Sequence, residues 1–207
     1  MSIDPRRQHG LTLIELIVFI VIVSVALVGV LTVINTTTKS SADPMIRKQM
    51  LAIAESLLEE VQLQPFTWCD PNDPKAATAT EAKESAAGCS VGLVQSFGQP
   101  SAQTRSPSYT FNNVGNYCAA QVGGAACPTL SLASPIADVS NSSTAPAGYS
   151  ATIDLTAEAL GGVASGAPTA TDASAMNVLR ITVTVSRGSD SLTVEGYRTR
   201  HSPTMLP

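Results

Sequence analysis

At 207 residues the chain has room for one globular unit of ordinary size plus an appendage. A formal net charge of −4, with 14% charged and 4% aromatic residues, excludes the basic, aromatic-interleaved surface that nucleic-acid binding needs and forecasts a small, loop-rich core. The two histidines, His9 and His201, fall outside the segments that read as a folded core, and no G-x-S-x-G, P-loop or metal-binding helix pattern occurs, so the inventory argues against an enzyme or a bound cofactor.

Residues 1–10 are short, polar and basic, with Arg6-Arg7 close to Gly10. From Leu16 to Thr38 no charge interrupts the chain, and 23 residues at about 1.5 Å each reach roughly 35 Å, enough to cross a hydrocarbon core. A buried core helix rarely needs so long a run rich in Ile and Val. No small-residue cleavage site follows the run, so the sequence predicts that it is retained as a membrane helix. Arg6 and Arg7 place its N-terminus in the cytoplasm by the positive-inside tendency. Glu15, at the edge of the span, costs energy as an ion and calls for a partner or tolerance at the headgroup level.

Asp43 suits an N-cap and Pro44 the first helical position, so the helix is expected to bend or break there and restart. Ile46, Met50, Ile53, Leu57 and Val61 then recur at helical spacing, with Leu51, Ala54 and Leu58 widening the stripe, as on an amphipathic helix that packs on its own sheet. Glu59 and Glu60 point about 100° apart, which makes them a solvated face rather than a carboxylate dyad. Gln64-Pro65-Phe66 ends the helix.

From Thr67 to about Gln103 the chain reads as irregular. Four cysteines lie beyond the apolar run, an even number that suits disulfides in an oxidising compartment and hence an exported domain. Pairing Cys69 with Cys89 and Cys118 with Cys127 would order loops that have little core, the longer closure contributing about 3 kcal/mol in the entropic account. Four cysteines permit three connectivities. A zinc site lacks the close C-x-x-C pairs it normally shows, and Asp70-Pro71-Asn72-Asp73 reads as a proline turn rather than a calcium loop, so no metal is expected.

Ser108–Phe111 and Tyr149–Leu155 are strand-like, and Ala164–Ala175 reads as a flexible loop. Asn35-Thr36-Thr37 and Asn141-Ser142-Ser143 match the glycosylation sequon, a weak signal here. Residues 178–185 and 192–197 alternate in polarity around Arg187-Gly188-Ser189-Asp190, a hairpin whose apolar face, Leu179, Ile181, Val183 and Val185, should cover the helical stripe. The segment from His201 to Pro207 is expected to fray.

Gly10-Leu11-Thr12-Leu13-Ile14-Glu15, preceded by Arg6-Arg7 and followed by the apolar run, resembles the class III signal of type IV prepilins and of the related pseudopilins of type II secretion. The resemblance implies an α+β, type IV pilin-like fold: a long N-terminal helix packed on a small antiparallel sheet with a C-terminal hairpin. It also implies a leader 1–10, a transmembrane helix 11–38, an amphipathic helix 39–64 and a disulfide-stapled β domain 65–207. Prepilin peptidase would cut between Gly10 and Leu11 and methylate the new amine of Leu11, leaving a mature chain at −5 because the leader carries Arg6 and Arg7 against Asp4.

A glycine at the cut lets a peptidase approach the backbone closely. Glu15 could then face the terminal ammonium of a neighbouring subunit, pairing two charges that are costly alone in apolar surroundings. The implied partners are the peptidase, other pilins through the N-terminal helix, and the inner membrane, with the domain periplasmic before assembly into an extracellular pilus. Ala42-Asp43-Pro44, Arg47-Lys48-Gln49, the stretch 52–60, Arg180-Ile181-Thr182-Val183-Thr184-Val185 and Gly196-Tyr197-Arg198-Thr199-Arg200 are similar to the D-type minor pilins of mannose-sensitive haemagglutinin pilus systems, which implies pilus biogenesis and surface attachment. A minor pseudopilin and a non-polymerising bitopic protein with a periplasmic binding domain remain the alternatives.

Overall fold

The computed structural model describes residues 12–98, 103, 105, 111–119, 126–140 and 144–204, with 36–43 as backbone only. The chain divides into two compact units, Met1–Ile46 and Arg47–Pro207. Helix α1 runs Leu13–Leu63 and contributes to both.

Of the bend or break expected near Pro44, the break is absent: Pro44 lies inside α1, and Asp43 precedes it as an interior residue rather than a cap. A proline removes one helical hydrogen bond and crowds the carbonyl four residues back; that is a local cost which committed turns on both sides can carry. The helix does end at Leu63, just before Pro65.

In the second unit, α1 is buried along Met50, Ala54, Leu57 and Val61, each at most 3% exposed. Spacings of four, three and four put these side chains on one face. The small Ala54 is fully buried whereas Ile53 is only partly covered and Leu51 is 38% exposed, so in this turn the covered face centres on Ala54 rather than on the larger side chains beside it.

Four antiparallel strands follow in the order β1 (Leu130–Leu132), β2 (Ser150–Ala157), β3 (Val178–Arg187) and β4 (Asp190–Thr199). Alternation decides their faces: Ala151, Ile153 and Leu155 of β2 and Leu179, Ile181, Val183 and Val185 of β3 point inward. The β3–β4 hairpin pairs Arg187 with Asp190 and turns through Gly188-Ser189, where Gly188 has φ +60, a conformation open to a residue without Cβ. The sheet meets α1 closely at Gly196, where a Cβ would lie 2.4 Å from Gln62 Nε2 and 3.0 Å from Leu58 Cδ1. The hairpin therefore lies against the helix at Leu58 and Gln62.

Three details depart from the sequence reading. The three-residue β1 carried too short a pattern to be seen. The loop 164–175 is tied down rather than loose: Gly166 donates to the Ala175 carbonyl at 2.9 Å, Ala173 to that of Ala82 at 2.8 Å, and Ala173 is fully buried. The final segment is held as far as Pro203, whose carbonyl accepts from the Trp68 N–H at 3.0 Å. Of the strand expected over Ser108–Phe111, residues 108–110 lie outside the described residues, and Phe111 is buried edge-on to Tyr117 outside any strand.

Candidate functional site

The first candidate is the N-terminal part of α1. Leu13–Asn35 is long and apolar enough to cross a membrane, and none of it is buried within the chain. Hydroxyls inside the span are satisfied internally, Ser24 donating to the Ile20 carbonyl at 2.7 Å and Thr32 to that of Val28 at 2.8 Å, as an apolar solvent demands. Thr12 precedes the first helical residue, and its hydroxyl accepts from the Glu15 N–H at 3.4 Å. Thr12-x-x-Glu15 is thus a helix-start signature that the sequence reading passed over, although a Thr followed three residues later by Glu before an apolar run is its recognisable form.

Glu15 stands in the first turn, where the helix dipole favours a negative charge. No ion pair among the described residues engages its carboxylate. Gly10 and Leu11, the residues expected to flank the cut, lie outside the described residues.

The second candidate is the pair of disulfide loops. Cys69 is bonded to Cys89 across 20 positions and Cys118 to Cys127 across 9, and no described cysteine is free. Asp73 stitches the first loop together: Oδ1 accepts from the Lys75 N–H at 2.9 Å and the Ser90 hydroxyl at 2.9 Å, and Oδ2 accepts from the Ser90 N–H at 2.8 Å. Burial by itself would raise the Asp73 pKa, but those donors and the Lys75 charge outweigh it and hold the carboxyl below the ordinary 3.8. Asp73 lies with Cys69 and Cys89 in a cluster of metal-ligand type, yet both sulfurs are spent on each other and both carboxylate oxygens on internal donors. That donor set does not suit an ion. Asp70 forms the turn expected of it, accepting from the Asn72 N–H at 2.8 Å.

Glu60 corrects the sequence reading outright. It is no solvated partner of Glu59: Arg105 binds both its oxygens, Nε at 2.8 Å and Nη2 at 2.6 Å, while the buried Tyr117 hydroxyl donates to it at 2.8 Å. Arg105 also donates to the Ala137 carbonyl, so one guanidinium ties the helix to two distant loops. Burial, with the Glu60 charge second, pushes the Tyr117 hydroxyl far above its usual range and keeps it a neutral donor. These are fastening interactions; they present no nucleophile with an oriented base.

One family description, the prokaryotic N-terminal methylation motif, matches residues 5–31. No curated protein and no solved structure matches the chain. The match takes in most of the apolar stretch Leu13–Asn35, which the chain leaves uncovered. The chain therefore carries a type IV prepilin-like N-terminal signal, and its long helix, apolar in its first half, followed by a four-stranded antiparallel sheet is an α+β, type IV pilin-like arrangement.

Proposed function

We propose that this chain is a minor type IV pilin, processed at its N-terminus and built into a surface pilus that serves attachment. The observation that carries the reading is the methylation motif at residues 5–31, which from Leu13 on lies on a helix whose apolar surface is exposed all round. A helix of that kind needs lipid or other helices around it, and a filament of such helices supplies the second environment after the membrane has supplied the first. The small, doubly disulfide-bonded domain fits an oxidising exterior. The similarity of residues 42–60 and of the closing hairpin to D-type minor pilins of mannose-sensitive haemagglutinin systems favours a minor subunit of a pilus over a secretion pseudopilin.

In this reading Gly10-Leu11 is the cleavage site, Leu11 carries the methylated amine, the N-terminus is cytoplasmic and the domain periplasmic before extraction. Glu15, whose carboxylate meets no basic partner among the described residues of its own chain, receives the Leu11 ammonium of a neighbouring subunit. Intact-mass and N-terminal peptide analysis of the mature protein tests the processing step. A chain beginning at N-methylated Leu11 is the expected product; an intact Met1, or a cut after Thr38, would mean a bitopic anchor or a secreted domain instead. Glu15→Val is expected to leave cleavage intact and to lower incorporation into sheared filaments by about tenfold or more, the loss of one charge pair in apolar surroundings. Normal incorporation of that variant would refute the pairing.

A further inference from the structure

Arg198 and Arg200 stand two positions apart at the end of β4, with His201 next, in a chain whose net charge is −4. None of the salt bridges among the described residues engages any of the three. Arg198 directs Nη2 to the Gln64 carbonyl at 3.4 Å, and its Nε is buried without an acceptor. Arg200 donates Nη1 to the Ala173 carbonyl at 2.8 Å, while its Nε and Nη2 are buried without acceptors. Buried donors in folded proteins are nearly always paired, because losing water without replacement is costly.

Beside them lies a cavity of about 190 Å³ lined by Pro65, Phe66, Arg198, Thr199, His201 and Ser202. Its polar side chains can all donate: a guanidinium, an imidazole and two hydroxyls. Arg200 does not line it, but its guanidinium lies 4.5 Å over the ring of Phe66, which does. Pro65 and Phe66 form an apolar wall, which strengthens any charge-assisted hydrogen bond made against it. Two carbonyls lie close by, that of Gln64, which Arg198 covers, and that of Thr199, 3.4 Å from His201 Nδ1.

We propose that this cavity binds one small oxyanion, a carboxylate or sulfate group, with Arg198 as its anchor and His201, Thr199 and Ser202 as additional donors. An anion there meets the positive charge of Arg198, which no ion pair among the described residues engages. The Arg200 guanidinium feels the same deficit: burial with no carboxylate beside it lowers its pKa to about 9. The volume suits a single compact group and is too small for a nucleotide. Two sources present that chemistry, a free ion of the medium or a carboxylate side chain of a neighbouring subunit.

Trp68 lines a different pocket, with Thr80 and Asp172, so binding is read by the heat change in isothermal titration calorimetry rather than by its fluorescence. The full chain in detergent micelles is titrated with sodium sulfate and with sodium acetate, each against sodium chloride at matched ionic strength. A saturable change with sulfate and acetate supports the site as a receptor for free oxyanions. A change with acetate alone supports it as a socket for a carboxylate. Arg198→Gln should weaken either response about tenfold or more, and Ser202→Ala several-fold, with circular dichroism confirming that both remain folded. Arg180→Gln, on the outer face of the sheet, should leave it unchanged. A response no different from chloride, or one that survives in both Arg198→Gln and Ser202→Ala, would overturn the proposal.

Discussion

Within α1 the stretch Leu13–Asn35 and the stretch Met50–Val61 are both rich in large apolar side chains, yet they meet opposite fates. In the first, exposure of the large apolar residues ranges from 37% at Val23 to 78% at Leu13. In the second, Met50, Ala54, Leu57 and Val61 are almost completely covered. The difference lies in pattern rather than in total hydrophobicity. A stripe flanked by Arg47, Lys48, Glu55 and Glu59 has one face to hide, and the rest of the same chain hides it. A helix apolar on every side cannot be covered by one small domain, so its partners are lipid or other chains.

The strongest way to break that contrast is to remove a polar fastening from the covered half. Glu60→Ala leaves Arg105 and Tyr117 buried without their shared acceptor and should cost about 4 kcal/mol, the usual penalty for stranding one member of a buried pair. Glu59→Ala, one position away and exposed, should stay within about 0.5 kcal/mol of the parent. Urea unfolding of the full chain in detergent, followed by Trp68 fluorescence, measures both. Equal effects would show that the helix face at Glu60 is as loosely held as that at Glu59.

Next in size is a matched pair of truncations. Leu57→Ala removes a side chain only 3% exposed and should cost about 3 kcal/mol of domain stability through lost burial and the cavity left behind. Leu27→Ala, at a residue 58% exposed, should leave the same unfolding curve within about 0.5 kcal/mol and show its effect only in membrane or filament incorporation. A Leu27→Ala chain whose domain unfolds as early as Leu57→Ala would mean that the span is covered by the chain's own domain after all.

The same contrast explains what the sequence disclosed. Local periodicity reveals elements whose partners are near in the chain or whose pattern is long: the apolar span, the helical stripe, the end at Pro65, and the β3–β4 hairpin with its turn at Gly188 were all legible. Glu60 was not, because its partners Arg105 and Tyr117 lie 45 and 57 positions away and no periodic signal links them. Pro44 was legible only as a bend or a break, and it is the long helix on both sides of it that carries α1 through without interruption. The hold on the final segment was invisible for the reason that hid Glu60: Trp68 and Pro203 meet only in the fold. At the N-terminus the motif at residues 5–31 was readable from Gly10, Leu11 and Glu15, and the Thr12 cap was written beside it.

The smallest expected effect concerns the loop closed by Cys69–Cys89 and has the clearest sign. Asp73 is held below its ordinary pKa of 3.8 in the folded chain, so the unfolded chain takes up its proton first as the pH drops. Stability from Asp73 is therefore fully present above 3.8 and is lost as the pH falls below that value through the folded one. Glu81 and Asp172 are also depressed and add to any acid weakening of the parent chain, so the informative quantity is a difference. Asp73→Asn keeps the shape and one acceptor but removes the charge. Unfolding midpoints of the oxidised parent and of Asp73→Asn, measured from about pH 6 down to about pH 3, should be well separated at the upper end and converge at the lower one. A gap that stayed constant over the whole range would show that Asp73 acts through its shape alone, and that its charge does not hold the donors of Lys75 and Ser90.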